Sequence, residues 1–220
     1  MKGVVAAVVC ALGAGTVVGQ TSIRYDFAIS VASNTFDPAG GSSVVGALSL
    51  GETGSFSLTA STTSFADLSF EGGEFYSVEA IQLDIGGVSA GGDPAVYPIS
   101  GLVGSLGIEN DAVSGAIDGD FFGAVLSFDD PEFGFGTVLL TEDAPGPATA
   151  GMLNSAELPR SIDLTNTAFR QIVIEGSDLP SGERERARFT IDAVAITLIP
   201  SPGSGLVLAA LGLGVARRRR

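Results

Sequence analysis

Apolar and polar residues alternate from Ser22 to Val31: Ile23, Tyr25, Phe27, Ile29 and Val31 fall on one side, and Ser22, Arg24, Asp26 and Ser30 on the other. A period of two over that length predicts a half-buried strand. The same rhythm returns at Phe56, Leu58 and Ala60, at Ile81, Leu83 and Ile85, and at Phe122, Ala124, Leu126 and Phe128. In the last run, Phe189, Ile191 and Ala193 are followed by Val194, Ile196 and Leu198, so the phase slips by one residue. A β-bulge near Ala193 predicts that slip, and so does a strand buried on both faces.

Turn formers separate the runs: Asp37-Pro38-Ala39-Gly40-Gly41, Gly72-Gly73, Gly91-Gly92-Asp93-Pro94 and Ala144-Pro145-Gly146-Pro147. Glycine reaches positive φ and proline fixes φ, so each cluster reverses the chain by a stated mechanism. No amphipathic helix of useful length stands between them. Short strands at regular spacing predict an all-β fold, an antiparallel β-sandwich or jelly roll, in a single domain over residues 20–198.

The two ends break the pattern. Met1-Lys2-Gly3 leads into an apolar stretch from Val4 to Val18, closed by small residues around Gly19. One positive charge, a short apolar core and a small-residue end are the layout of a signal peptide over residues 1–19, handed to the secretion translocon. At the other end Pro200-Ser201-Pro202 precedes an apolar stretch over 203–216, and then Arg217, Arg218, Arg219 and Arg220. As a helix those fourteen residues reach only ~21 Å, against a hydrocarbon core of ~30 Å. The arginines would stop transfer and stay cytoplasmic, leaving the body outside. An ordinary membrane anchor and a provisional, removable one both satisfy this layout.

The Pro motif, short Gly/Leu-rich span and terminal Arg cluster resemble the PEP-CTERM sorting signal over residues 199–220, with Ser201 where the motif has Glu. The resemblance implies processing by an exosortase, a membrane transpeptidase-like enzyme of Gram-negative bacteria that often accompany exopolysaccharide production. It implies transient insertion in the inner membrane and a final place at the cell surface or in extracellular matrix. It implies nothing about the activity of residues 20–198.

Charge and composition narrow the classes left for the body. Formal charge is −14, but Lys2 and four arginines belong to the ends. The body holds Arg24, Arg160, Arg170, Arg184, Arg186 and Arg188 against all 25 acidic residues, a net −19. Such a field repels nucleic acid and anionic headgroups. The chain has no His, and its single Cys, Cys10, lies in the leader. Ser-His-Asp and Cys-His catalysis and His/Cys zinc sites are therefore excluded.

Three constellations carry candidate chemistry. Gly87-Val88-Ser89-Ala90-Gly91 has the spacing of a nucleophile elbow, without a histidine to take the serine proton. Asn110-Asp111, Asp118-Gly119-Asp120 and Asp129-Asp130 gather around one predicted strand; Asp111, Asp118, Asp120 and Asp129 are candidate ligands for Ca²⁺, which takes six to eight oxygens. Paired carboxylates also serve glycoside hydrolysis, but no spacing singles out a pair, and the chain has no Trp and three Tyr to stack on sugars. Arg184, Arg186 and Arg188 would form one basic stripe on a strand, read either as a charged guard on an exposed edge or as a ligand stripe. The composition predicts a non-enzymatic exported protein with a structural or interaction role and no cofactor. The alternative is a surface binding module, calcium-assisted and directed at glycan or protein.

Overall fold

In the computed structural model the alternating runs become strands. It describes residues 21–36, 43–64, 73–92, 104–114, 117–128, 135–141, 152, 153, 155, 157–167, 169–178 and 184–200. In chain order these hold β1 (Ser22–Asn34), a one-turn helix α1 (Ser43–Gly46), β2 (Thr53–Ser64), β3 (Gly73–Ile85), β4 (Val88–Gly92), β5 (Ser105–Ser114) and β6 (Ile117–Ser127). There follow β7 (Phe135–Thr141), a 3-10 turn (Leu164–Asn166), β8 (Phe169–Asp178) and β9 (Arg184–Ile199). Residues Gln20–Ile199 make one compact unit. The leader, the tail beyond Pro200, Asp129 and the turn clusters at 37–41 and 144–147 lie outside the described residues.

Every strand pair is antiparallel. The sheet order is β2-β1-β9-β8-β7-β6-β5-β3-β4, and β2 pairs with β3 as well as with β1. Pairing between strands so far apart in the order requires the sheet to curl on itself. The expected sandwich or jelly roll is not what the pairing shows. Alternation states which face of a strand is buried, and a sheet curled around its own inner face satisfies that pattern as well as two facing sheets do.

All four runs read as one-faced strands bury the predicted residues, from Ile23 to Val31 and from Phe122 to Phe128. Tyr25, Phe27, Phe56 and Phe122 meet at the centre. The Tyr25 and Phe122 rings stand edge to face at 5.1 Å, and Phe27 lies 6.2 Å from both Phe56 and Phe122. Burying each such ring contributes about 1.5–3 kcal/mol, with a further ~0.5–1.5 kcal/mol from favourable ring geometry. The phase slip in β9 is a bulge. Register passes from Ala28↔Ala193 to Ile29↔Ile191, leaving Asp192 as the extra residue. Ala193, Ala195 and Thr197 are exposed, so this strand has one buried face.

Connections close over the inner face. Between β1 and β2, Phe36, Val45 and Leu48 are buried, and the Asn34 amide donates to the carbonyls of Val45 (2.7 Å) and Leu48 (3.2 Å). Between β7 and β8, Met152, Leu153 and Leu158 join the same core. The hairpin from β3 to β4 turns on Gly86 (φ 57°) and Gly87 (φ 79°), with Ile85 facing Val88. Positive φ at both central residues is the primed two-residue turn, which suits the twist of the flanking strands and favours glycine. Among the described residues no helix is long and apolar enough to cross a membrane.

Candidate functional site

Polar side chains on the inner face converge on the segment between β7 and β8. Alternation along β6 turns Asp120 inward with Phe122 and Ala124, and its carboxylate is fully buried. It accepts the Leu153 N–H at 2.5 Å. From β1, the buried Tyr25 hydroxyl donates to the Pro159 carbonyl at 3.1 Å. From β3, the Tyr76 hydroxyl donates to Glu74 Oε2 at 2.8 Å and accepts the Leu158 N–H. Three strands thus hold the main chain at Leu153, Leu158 and Pro159, while Met152, Leu153 and Leu158 are buried in the core.

Electrostatics keeps these hydroxyls protonated. Burial pushes the Tyr25 phenol far up, and Tyr76 nearby adds to it. Tyr76 is also pushed up, first by burial, then by the hydrogen bond and charge of Glu74 and by Glu157, against a smaller opposing effect of the Leu158 N–H. A neutral phenol is a reliable donor here and a poor nucleophile.

The candidate calcium ligands are distributed differently from a loop cage. Pairing between β5 and β6 passes from Glu109↔Phe121 to Ala112↔Gly119, so Asn110 and Asp111 stand opposite the single residue Asp120. Asp118 pairs with Val113 on the same hairpin. The backbone therefore brings Asp111, Asp118 and Asp120 to one hairpin, while Asp129 lies outside the described residues. Asp120 accepts the Leu153 N–H. Among the described residues no three His, Cys, Asp or Glu side chains gather as a metal-binding group.

Ser89 does not occupy an elbow. It lies exposed on β4, directly across from Asp84, to whose carboxylate it donates at 2.6 Å. Gln82 donates to the Ser89 hydroxyl at 2.8 Å and to Asp84 at 3.3 Å. Gly87, the first glycine of the spacing, belongs to the hairpin turn. Three polar side chains on neighbouring rungs of an outer face are ordinary cross-strand partners.

The three arginines alternate along the start of β9. Arg188 is paired on both sides, with Val173 of β8 and Ser33 of β1, whereas Arg186 and Arg184 pair with β8 alone, past the last β1 rung at Asn34↔Ala187. Arg186 faces Glu175 and bonds its Oε1 at 2.6 Å. Both partners are partly solvated, so the pair contributes at most about 1 kcal/mol. Glu185, between the arginines, is buried on the inner side.

Of the sorting residues, Pro200 is exposed immediately after β9; Ser201, Pro202 and Arg217 to Arg220 lie outside the described residues. The sequence did not mark residues 152–159 as anything but loop. The available signal was Met152, Leu153 and Leu158, apolar residues within a polar, Pro-bounded stretch. No family model matches the chain, and no curated protein or solved structure matches it.

Proposed function

We propose that this is an exported, non-enzymatic protein. An N-terminal signal peptide directs it to the translocon, and a PEP-CTERM-like tail with a short membrane helix carries it to an exosortase. It is then retained at the cell surface or in extracellular matrix, alongside exopolysaccharide, in a structural or interaction role. The observation that supports this most is where the body's strands begin and end. Ser22, three residues after the leader, and Ile199, one residue before Pro200, are register partners at one end of the β1–β9 ladder. The first and last strands of the body thus start and finish at the same end, which suits a domain first tethered to a membrane and then released. Deleting Pro200–Arg220 in the native host tests the reading: envelope retention should fall and intact mass should lose its processing pattern. Unchanged retention would sink it.

A second reading, a surface binding module assisted by Ca²⁺, draws on Asp111, Asp118 and Asp120 meeting on one hairpin. It requires heat on titration with Ca²⁺ and a melting temperature that falls with chelator. Absence of both removes it.

A further inference from the structure

The last seven residues of β9 are paired on one side only. β8 reaches β9 no further than Gln171↔Thr190, whereas β1 continues to Ser22↔Ile199. From Ala193 to Ile199 every second residue therefore turns its N–H and C=O away from β1, and among the described residues no strand lies beside them. The inner face is also thinly covered here. Val194 and Ile196 are only partly buried at the margin of the core, whereas Tyr25 and Phe27 opposite are fully buried. Leu198 is 49% exposed, Ile199 38% and Phe169, at the adjoining start of β8, 42%. These are three of the five large apolar side chains exposed among the described residues. An apolar edge of this length, bare among the described residues, is a template for strand addition.

We propose that this edge pairs with the same edge of a second copy, antiparallel and centred on Ile196. Length and stops favour that occupant. Asp192 is the bulge residue, and Pro200 has no N–H to extend a ladder, so the edge offered is seven residues long and its own copy is bounded identically. Register favours it too. About Ile196, Val194 faces Leu198 of the second copy on the inner side, giving each exposed leucine an apolar partner, and Ala195 faces Thr197 on the outer side. Charge permits it despite the acidic body. Ala193 to Ile199 carry none, and the neighbouring outer-face charges, Arg24 and Asp26, neutralise each other at 2.7 Å. The two Asp192 residues end eight rungs apart, ~27 Å, well beyond a screening length of ~8 Å. This pairing stands or falls independently of how the tail is handled.

The test is cross-linking in the full chain in mild detergent, with Cys10→Ala to remove the one native thiol. Ile196→Cys places a thiol opposite itself and should yield a covalent dimer with a short bis-maleimide; Ser55→Cys, on the exposed outer face of β2, should not. Adding Ala195→Lys with Thr197→Lys sets lysines against lysines across the two-fold and should cut the yield about tenfold. Adding Ala195→Lys with Thr197→Glu makes each rung complementary, and also suits Asp26 and Arg24 within the chain, so it should keep the yield. Melting curves of each variant establish that it folds. No cross-link at Ile196→Cys in a folded chain, equal yields from both Cys positions, or equal yields from the Lys/Lys and Lys/Glu variants would overturn the proposal.

Discussion

Replacing Asp120 by alanine is the sharpest test of how the segment over the inner face is held. The carboxylate is fully buried and accepts the Leu153 N–H at 2.5 Å. Losing this hydrogen bond, with a buried N–H left behind, costs about 1–3 kcal/mol. With a urea m-value of about 2 kcal/mol/M for a domain of this size, the midpoint should fall by about 1 M. Asp120→Asn keeps an acceptor and nearly the same volume, and should lose less than half as much. Hydrogen exchange adds a local readout: the Leu153 amide should lose protection in Asp120→Ala beyond any change in β6 amides, because the segment opens before the sheet does. Equal Leu153 protection in wild type and variant, or a midpoint shift below ~0.25 M, would refute the reasoning.

Phe122→Ala removes the ring that touches both Tyr25 and Phe27 and should cost about 3–5 kcal/mol by urea denaturation, more than any surface change on the same strand. Alkaline pH should unfold the protein through its tyrosines. Tyr25 and Tyr76 have folded-state pKa values raised above the ordinary ~10, so their stabilising contribution is complete below that value and is lost as pH climbs from there toward the folded value. Absorbance at 295 nm should show their phenolates appearing together with loss of β-sheet circular dichroism, and ionisation in the intact fold would contradict the burial. Ser89→Ala should leave stability within ~0.5 kcal/mol of wild type in the same denaturation assay, because its hydroxyl bonds only exposed partners.

The sequence was informative where a strand has one wet face. Ile23 to Val31 and Phe122 to Phe128 announce their inner sides through a period of two, whereas the slip at Ala193 fits a bulge or a strand buried on both faces until the register decides for the bulge. β8 was also readable, since Ile172 and Ile174 are buried with Gln171 and Glu175 outside them, but the run is short and Val173 blurs it. The curl was not readable. It depends on β2 pairing with both β1 and β3, and alternation fixes a strand's faces without fixing its neighbours. The Gly86–Gly87 turn was hidden behind a chance serine spacing. The Asp120 clamp was hidden because an inward aspartate looks like any other acid until its backbone partner, 33 residues away, comes into place.

The neighbour of the first strand is the last one made. Asp26 meets Ala195 only after almost the whole body has been synthesised. Closing a loop of roughly 170 residues costs about 4–5 kcal/mol of chain entropy before the β1–β9 ladder returns anything. Such non-local pairing makes for slow folding. Until then the strand carrying Tyr25 and Phe27 has one bare edge, in a chain with no disulfide to hold it. Until Ala195 arrives, that aromatic strand stays open to pairing with other chains.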